Sequence, residues 1–320
     1  MTRILSYNIL VGATRRVDPL TDMIKAARPD VVALVEATNP KVVEELAHRL
    51  DMQHVLSAFP THLQDWQVAL LSRLPIIYTK THLLTKPALE VCLEEANGRQ
   101  ISVFVTHLSA AFSKGWAGDG IRRREVQDLL RIMLARKGTP HLVMGDFNAL
   151  APGDPFKASA LLSYLVKSDE LYRHNPASMK GHPHLNFVVP GPIRILNPIL
   201  RTIPRSKLLC GLFDSAASVY APRGTIGLLQ KAGYIDCFRK MNLEAEGFTC
   251  PAAAPAGRID FIFASPELAQ SLQCCYIPTE GGSARGEEAS DHLPVVAEFG
   301  EAIGAEHASQ ISDCTEEVGV

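Results

Sequence analysis

"HLVMGDFNA", residues 141–149, decides how this chain folds. Leu142, Val143 and Met144 read as a strand. The run then stops on Gly145, Asp146 and Asn148, three turn formers. A carboxylate at the end of an apolar strand is costly to bury without a partner. The stretch is therefore either a surface turn or one part of a polar cluster whose other parts lie elsewhere in the chain.

The same pattern recurs along the sequence. "RILSYNIL" (3–10) carries Asn8, "DVVALVEA" (30–37) carries Glu36, and "ISVFVTHL" (101–108) carries His107. "RIDFIFAS" (258–265) carries Asp260, and "SDHLPV" (290–295) supplies Asp291 and His292. Each has an ordinary explanation on its own. Glu36 could charge a helix N-terminus, His107 could be a satisfied core histidine, Asp260 could pair with Arg258, and the "SDH" triplet could be a cap. Together, six such strand ends imply neighbouring strands whose polar ends converge, where a cation offsets the cost of burying the carboxylates.

The intervening sequence supplies helices. Asp18-Pro19 reads as an N-cap and first helical residue, followed by Leu20, Met23, Ile24 and Ala27 at helical spacing. "PKVVEELAHRL" (40–50) is amphipathic, and 121–136 reads as a helix. "DVVALVEA" is nearly continuous in apolar residues, as in a strand covered on both faces. "QVALLS" and "PIIYTK" read as strands. "LEVCLEEANGRQISVFVTHL" reads as a hairpin with a type I′ turn at Asn97-Gly98. Towards the C-terminus, "GYIDCF" and "LQCCYI" read as further strands.

Residues 152–224 differ. They hold no Asp or Glu between Leu171 and Phe213, while Arg173, Lys180, Arg194, Arg201, Arg205 and Lys207 fall there with His174, His182 and His184. Pro is frequent and the apolar residues show no steady period. The segment reads as an insertion over the sheet edge, either a substrate-facing lid or a structural excursion. Basic residues among apolar ones such as Phe187, Ile193 and Leu200 suggest a peripheral membrane contact through 185–209. The tail from Glu301 to Val320 has five acids and no Lys or Arg, and reads as disordered.

A net charge of −2 excludes the global basic field of a general nucleic-acid coat and leaves room for a local basic groove. Seven scattered cysteines without a CxxC pair suit reduced thiols and a cytoplasmic location. The N-terminus lacks a secretory signal pattern, and no apolar run reaches the 18 residues of a membrane span.

The order N…E…H…GDFN…RIDFIF…SDHLPV resembles the endonuclease/exonuclease/phosphatase, or DNase I-like, family over residues 1 to about 300. The resemblance implies an α+β fold, a four-layer α/β/β/α sandwich of two mostly antiparallel sheets, and a monomer. It also implies divalent-metal hydrolysis of a phosphodiester, with Mg²⁺ or alternatively Mn²⁺. Carried onto this chain, Asn8, Glu36 and Asp291 resemble the metal-binding group. Asp146 resembles the residue that orients or deprotonates the attacking water. Asn148 resembles a phosphate- or water-positioning amide, His107 and His292 resemble donors to phosphoryl oxygens, and Asp260 resembles the acid that orients His292. On this view Asp291 and His292, as neighbours in an extended segment, diverge towards metal and phosphate.

The residue types suit that reaction. Mg²⁺ takes oxygen ligands and keeps several waters, so one or two carboxylates suffice. A metal, an amide and two imidazoles stabilise charge growing on phosphoryl oxygens. Three positions depart from family patterns. Leu10 stands where apurinic endonucleases carry an acid, His107 where they carry a Tyr, and Val68 where many phosphodiesterases carry an Asn. The substrate expected is an anionic phosphodiester, either nucleic acid or a phospholipid headgroup. The alternatives are a phosphomonoesterase acting on a lipid or sugar phosphate, and a non-catalytic binding module that keeps the fold.

Overall fold

The computed structural model describes residues 1–58, 67–175, 185–189 and 191–300. The acidic tail, Lys180, His182 and His184 lie outside the described residues, as do the side chains of Phe187 and Ile193. The strands in chain order are β1 (Thr2–Asn8), β2 (Val31–Val35), β3 (Gln53–Leu56), β4 (Val68–Ser72), β5 (Ile76–Leu83), β6 (Pro87–Glu94) and β7 (Gln100–His107). They continue with β8 (His141–Asp146), β9 (Ile235–Asp236), β10 (Asp260–Ala264), β11 (Leu272–Tyr276), β12 (Glu280–Gly281), β13 (Ala284–Arg285) and β14 (Val295–Phe299).

Two six-stranded sheets form, in the orders β11-β14-β1-β2-β4-β3 and β5-β6-β7-β8-β10-β9. Each is antiparallel apart from one central parallel pair, β1 with β2 and β7 with β8. Alternate residues of each strand enter different cores, which is why the strands look apolar throughout. Ile4, Val31, Ala33 and Val35 meet Val103, Val105, Leu142 and Met144 between the sheets. Leu5, Val32 and Leu34 face outwards, onto α1 (Val17–Ala27) and α2 (Pro40–Leu50). Phe104, Val143, Phe261 and Phe263 face the other way, onto α3 (Trp116–Met133) and the helix Gly224–Lys231. The result is the expected four-layer sandwich.

Several local readings change. Helix α1 begins at Val17, so Asp18 sits in its first turn instead of capping it. Helix α3 starts five residues earlier than expected and gives way to a 3₁₀ turn at Leu134–Arg136. "GYIDCF" keeps only two strand residues before turning helical at Cys237–Met241. The β6–β7 hairpin does not use a type I′ turn, because Asn97 is not in the left-handed region. Gly98 alone takes it, at φ +80°, with its N–H donating to Glu95 O at 2.8 Å. Glu95 N then donates to Arg99 O at 2.9 Å, so the turn is one residue wider than a two-residue loop.

The largest difference lies in 152–224. The segment that showed no period is largely helical, with α4 (Ala158–His174) packed against the helix Lys207–Tyr220. Leu162, Leu165, Leu185 and Val189 form a small core of their own there.

The parallel pair β7–β8 depends on one glycine. Gly145 has φ +141° and lies opposite Thr106, and a Cβ on it would stand 1.9 Å from the Thr106 carbonyl oxygen. Gly145→Ala must push the two strands apart just before His107 and Asp146. The expected loss is about 1–3 kcal/mol of stability, seen as a lower urea midpoint. An unchanged midpoint would show that the strands absorb the methyl group.

Candidate active site

The parallel pairs bring the functional side chains to one edge of the sandwich. In the second sheet, Asp146 lies opposite both His107 on β7 and Asp260 on β10. In the first, Asn8 ends β1 and Glu36 follows β2. The two sets meet across the interface, because Asn8 Nδ2 donates to Asp146 Oδ2 at 3.1 Å and to Glu36 Oε1 at 3.3 Å.

Asp146 is the centre. Its Oδ1 accepts from Asn148 N at 2.8 Å, and its Oδ2 accepts from Asn148 Nδ2 at 3.2 Å. His107 Nε2 lies 3.6 Å and His292 Nε2 3.9 Å from the same Oδ2. Burial, and then the Asp260 charge, pushes the Asp146 carboxyl well above the usual carboxylate range, against the pull of His292. A carboxyl shifted that way is suited to taking a proton near neutral pH. The Asn148 amide also donates to Leu108 O at 3.0 Å. Its two hydrogens are thus held by the protein, and Asn148 builds the site around Asp146. It does so at φ +48°, a conformation that Asn tolerates better than most residues.

His292 Nδ1 pairs with Asp260 Oδ2 at 2.8 Å. Burial alone would lower its pKa, but the Asp260 charge overrides it and holds the imidazole well above its usual range. His107 goes the other way, because burial and then the Lys86 charge keep its ring neutral. The two imidazoles facing the Asp146 carboxylate are thus shifted in opposite directions. Asp260 does not pair with Arg258, the ordinary reading of that stretch. Arg258 turns instead to Asp154 and Asp236, at 2.7 and 2.6 Å.

Asp291 and His292 do not begin a strand. They lie in the bend before β14, and their side chains converge, with His292 Nε2 4.0 Å from Asp291 Oδ1. The acid that orients His292 comes from the opposite sheet, so the Asp260–His292 pair ties the two layers together at the site. Thr249 fixes the approach: its hydroxyl accepts from Ile259 N and Asp260 N, and its carbonyl accepts from Leu293 N.

Glu36 is not part of α2. It sits in a bend at φ +59°, which is strained for a glutamate and points to a functional constraint. Its Oε2 accepts from Val11 N at 2.7 Å. Burial, and then the Asp291 charge, pushes the Glu36 carboxyl up. Asp291 Oδ1 is itself buried without a hydrogen-bond partner. A carboxyl pushed up by a second carboxylate, and a second carboxylate with an orphaned oxygen, offer oxygen donors of the kind a divalent cation takes. A second grouping, Asp146, Asp260 and His292, places its potential ligand atoms within 4.8 Å of one another. There the Asp260 carboxylate is engaged by His292 Nδ1 at 2.8 Å, which leaves His292 Nε2 facing Asp146. Glu36 and Asp291 lie beside this grouping, and Asn8 links Glu36 to Asp146.

Lys86 was not evident from the sequence. It is buried, and its Nζ donates to Leu108 O at 2.8 Å, on the carbonyl that also receives Asn148. Burial pulls its ammonium below the usual lysine range, against the charges of Asp146, Glu125 and Glu36. Glu125 in turn receives Ser109 N and Oγ, fixing the loop after His107. A lone Lys before Pro87 carries no periodic signal, so only the fold reveals it.

The family model for the endonuclease/exonuclease/phosphatase family matches residues 5–292. No curated protein matches the sequence. Among solved structures, an AP endonuclease from Archaeoglobus fulgidus is similar at TM-score 0.59 and 19% identity, over 93% of this chain and 99% of that one. The 3′ phosphatase NExo from Neisseria, bound to a product DNA hairpin, is similar at TM-score 0.59 and 16% identity, over 94% and 100% of the two chains. A functionally unknown conserved protein from Enterococcus faecalis is similar at TM-score 0.58 and 15% identity, over 93% and 99%. At these identities the neighbours show the fold alone. With the family match spanning both sheets and every strand end that carries the site, the chain belongs to the endonuclease/exonuclease/phosphatase family and is a hydrolase of phosphoric esters.

Proposed function

We propose that the protein is a Mg²⁺-dependent phosphodiesterase that hydrolyses its substrate by in-line attack of water. The observation that carries this reading is the position of Asp146 Oδ2, between Asn8 at 3.1 Å, His107 at 3.6 Å and His292 at 3.9 Å. In this reading Asp146 takes the proton from the attacking water. His292, charged through Asp260, donates from Nε2 to a phosphoryl oxygen. Neutral His107 orients the phosphate from the other side of Asp146. Asn8 and Asn148 hold the Asp146 carboxylate in place. Glu36 and Asp291 would hold the cation, which supplies charge neutralisation on the phosphoryl oxygens. The complete set of site residues argues against a binding module that merely kept the fold.

A nucleic acid and a phospholipid headgroup present the same reacting group to this site. Neisseria NExo is described both as a 3′ phosphatase and as a 3′-5′ exonuclease, so in that neighbour one fold carries monoester and diester cleavage. The six cysteines among the described residues are all free, which suits a reducing compartment such as the cytoplasm.

The test is hydrolysis of bis-p-nitrophenyl phosphate. EDTA should abolish turnover, and Mg²⁺ should restore it. Glu36→Gln and Asp291→Asn should raise the Mg²⁺ concentration needed for half-maximal rate by about tenfold or more, since each removes a charged oxygen ligand. Full turnover in EDTA would end the metal-dependent reading. An unchanged Mg²⁺ requirement in both variants would move the cation away from Glu36 and Asp291.

A further inference from the structure

The helix Lys207–Tyr220 shows its apolar face to solvent. At about 100° per residue, Leu208, Leu212 and Val219 fall on one stripe, with Leu209 and Tyr220 beside it. Leu208 is 75%, Leu212 62% and Val219 79% exposed. Ile195 and Ile199, in the segment just before the helix, are 83% and 61% exposed. The half-buried side of the helix is apolar too, with Phe213 packed against Leu162 and Leu165. Its one acid, Asp214, accepts from Ser159 N and Ser159 Oγ at 2.6 and 2.8 Å, closing the start of α4. A free-standing soluble helix keeps its outward side polar, so this exposed apolar face is built to be covered.

The exposed charges in the segment leading into this helix, Arg194, Arg205 and Lys207, are of one sign. No Asp or Glu occurs from 171 to 213, in a chain whose net charge is −2. Arg205 and Lys207 are exposed at the N-terminal end of the helix, and Tyr220 stands at the other. Among the described residues no helix is long and apolar enough to cross a membrane. This one, at 14 residues, is only about 21 Å long, short of a hydrocarbon core of about 30 Å. An apolar face flanked by cations, with an aromatic residue at its end, fits the headgroup region of an anionic bilayer. A second copy of the chain fits less well, because an isologous contact would need this face to complement itself, and it offers cations without acids.

We propose that the helix Lys207–Tyr220, with the segment before it, docks the protein on the surface of an anionic phospholipid bilayer. The docked helix lies one helix away from the active site. Phe213 packs into the apolar cluster of Leu162 and Leu165 on α4. Tyr164, also on α4, is near enough to Asp291 and His292 to feel their charges. Docking would hold the site beside the lipid headgroups whether or not those headgroups are hydrolysed.

The full chain is co-sedimented in EDTA with vesicles of phosphatidylcholine and with equimolar phosphatidylcholine and phosphatidylglycerol, so binding is read without turnover. The protein should pellet with the mixed vesicles. Arg205→Glu/Lys207→Glu should weaken that binding about 25-fold, at about fivefold per cation. Leu208→Asp/Leu212→Asp should weaken it about 100-fold. Both pairs are exposed, and unchanged circular dichroism would confirm that the fold survives. Failure of the unaltered chain to bind mixed vesicles, or undiminished binding by Leu208→Asp/Leu212→Asp, overturns the proposal. So does a lipid-free dimer that Leu208→Asp/Leu212→Asp converts to monomer, which would make the face a contact between copies.

Discussion

Asp146→Asn should lower turnover of bis-p-nitrophenyl phosphate by about 10²–10⁴-fold, the range for losing a positioned acid–base group, while the protein stays folded. The carboxylate has two tasks that an amide cannot share. It accepts from Asn8 Nδ2 and Asn148 Nδ2 on Oδ2, and from Asn148 N on Oδ1. An amide must turn its NH₂ towards one of those donor sets, so one side loses its acceptor. It also removes the negative charge that faces His107 and His292. Asp146→Ala separates the two tasks. If both variants fall equally, the lost group is the base. If Asn retains far more activity than Ala, Asp146 acts mainly by holding its neighbours. A rate within tenfold of the unaltered enzyme in both variants would remove Asp146 from the chemistry altogether.

The strands were legible because burial on both faces leaves an unmistakable run of Val, Ile, Leu and Phe. Their polar ends stood out against it. What the pattern could not show was which sheet each end belonged to. Asp260 resembled the acid that orients His292, and the structure shows the two come from opposite layers and join them. The bend at Asp291 was equally hidden, because Leu293, Val295 and Val296 follow it as an apolar run that reads as one strand. The two helices of 152–224 were missed for a physical reason. Period-based reading assumes that apolar residues point inwards. On Lys207–Tyr220 Leu208, Leu212 and Val219 point outwards while Phe213 points inwards, so the helix carries apolar residues nearly all round. The violation of the soluble pattern is itself the feature that suggests a covering surface.

Arg258 is the other polar group whose loss should be severe, and for stability instead of turnover. Its side chain is 1% exposed. Nε donates to Asp154 Oδ2 at 2.7 Å, and the two terminal nitrogens grip both oxygens of Asp236 at 2.7 and 2.6 Å. Its guanidinium also lies 4.5 Å from the ring centre of Phe261 and 5.3 Å from that of Phe238. Against the burial that would lower it, Asp236 holds the Arg258 pKa above its usual value. One arginine thus bridges two buried carboxylates under the strand that delivers Asp260, with Arg239 also reaching Asp154 at 2.9 Å. Arg258→Met keeps most of the volume and leaves Asp154 and Asp236 without their shared buried cation. Removing one partner from a buried ion pair costs about 3–5 kcal/mol, against a total stability of about 5–15 kcal/mol for a folded domain. Urea unfolding should therefore show a large fall in midpoint, or no folded protein at all. Arg258→Met/Asp236→Asn removes the stranded charge together with the arginine, while Asp154 keeps Arg239 at 2.9 Å, and should recover much of the loss. No recovery in the double variant would mean that the cost of Arg258→Met lies in packing against Phe238 and Phe261 instead of in uncompensated charge.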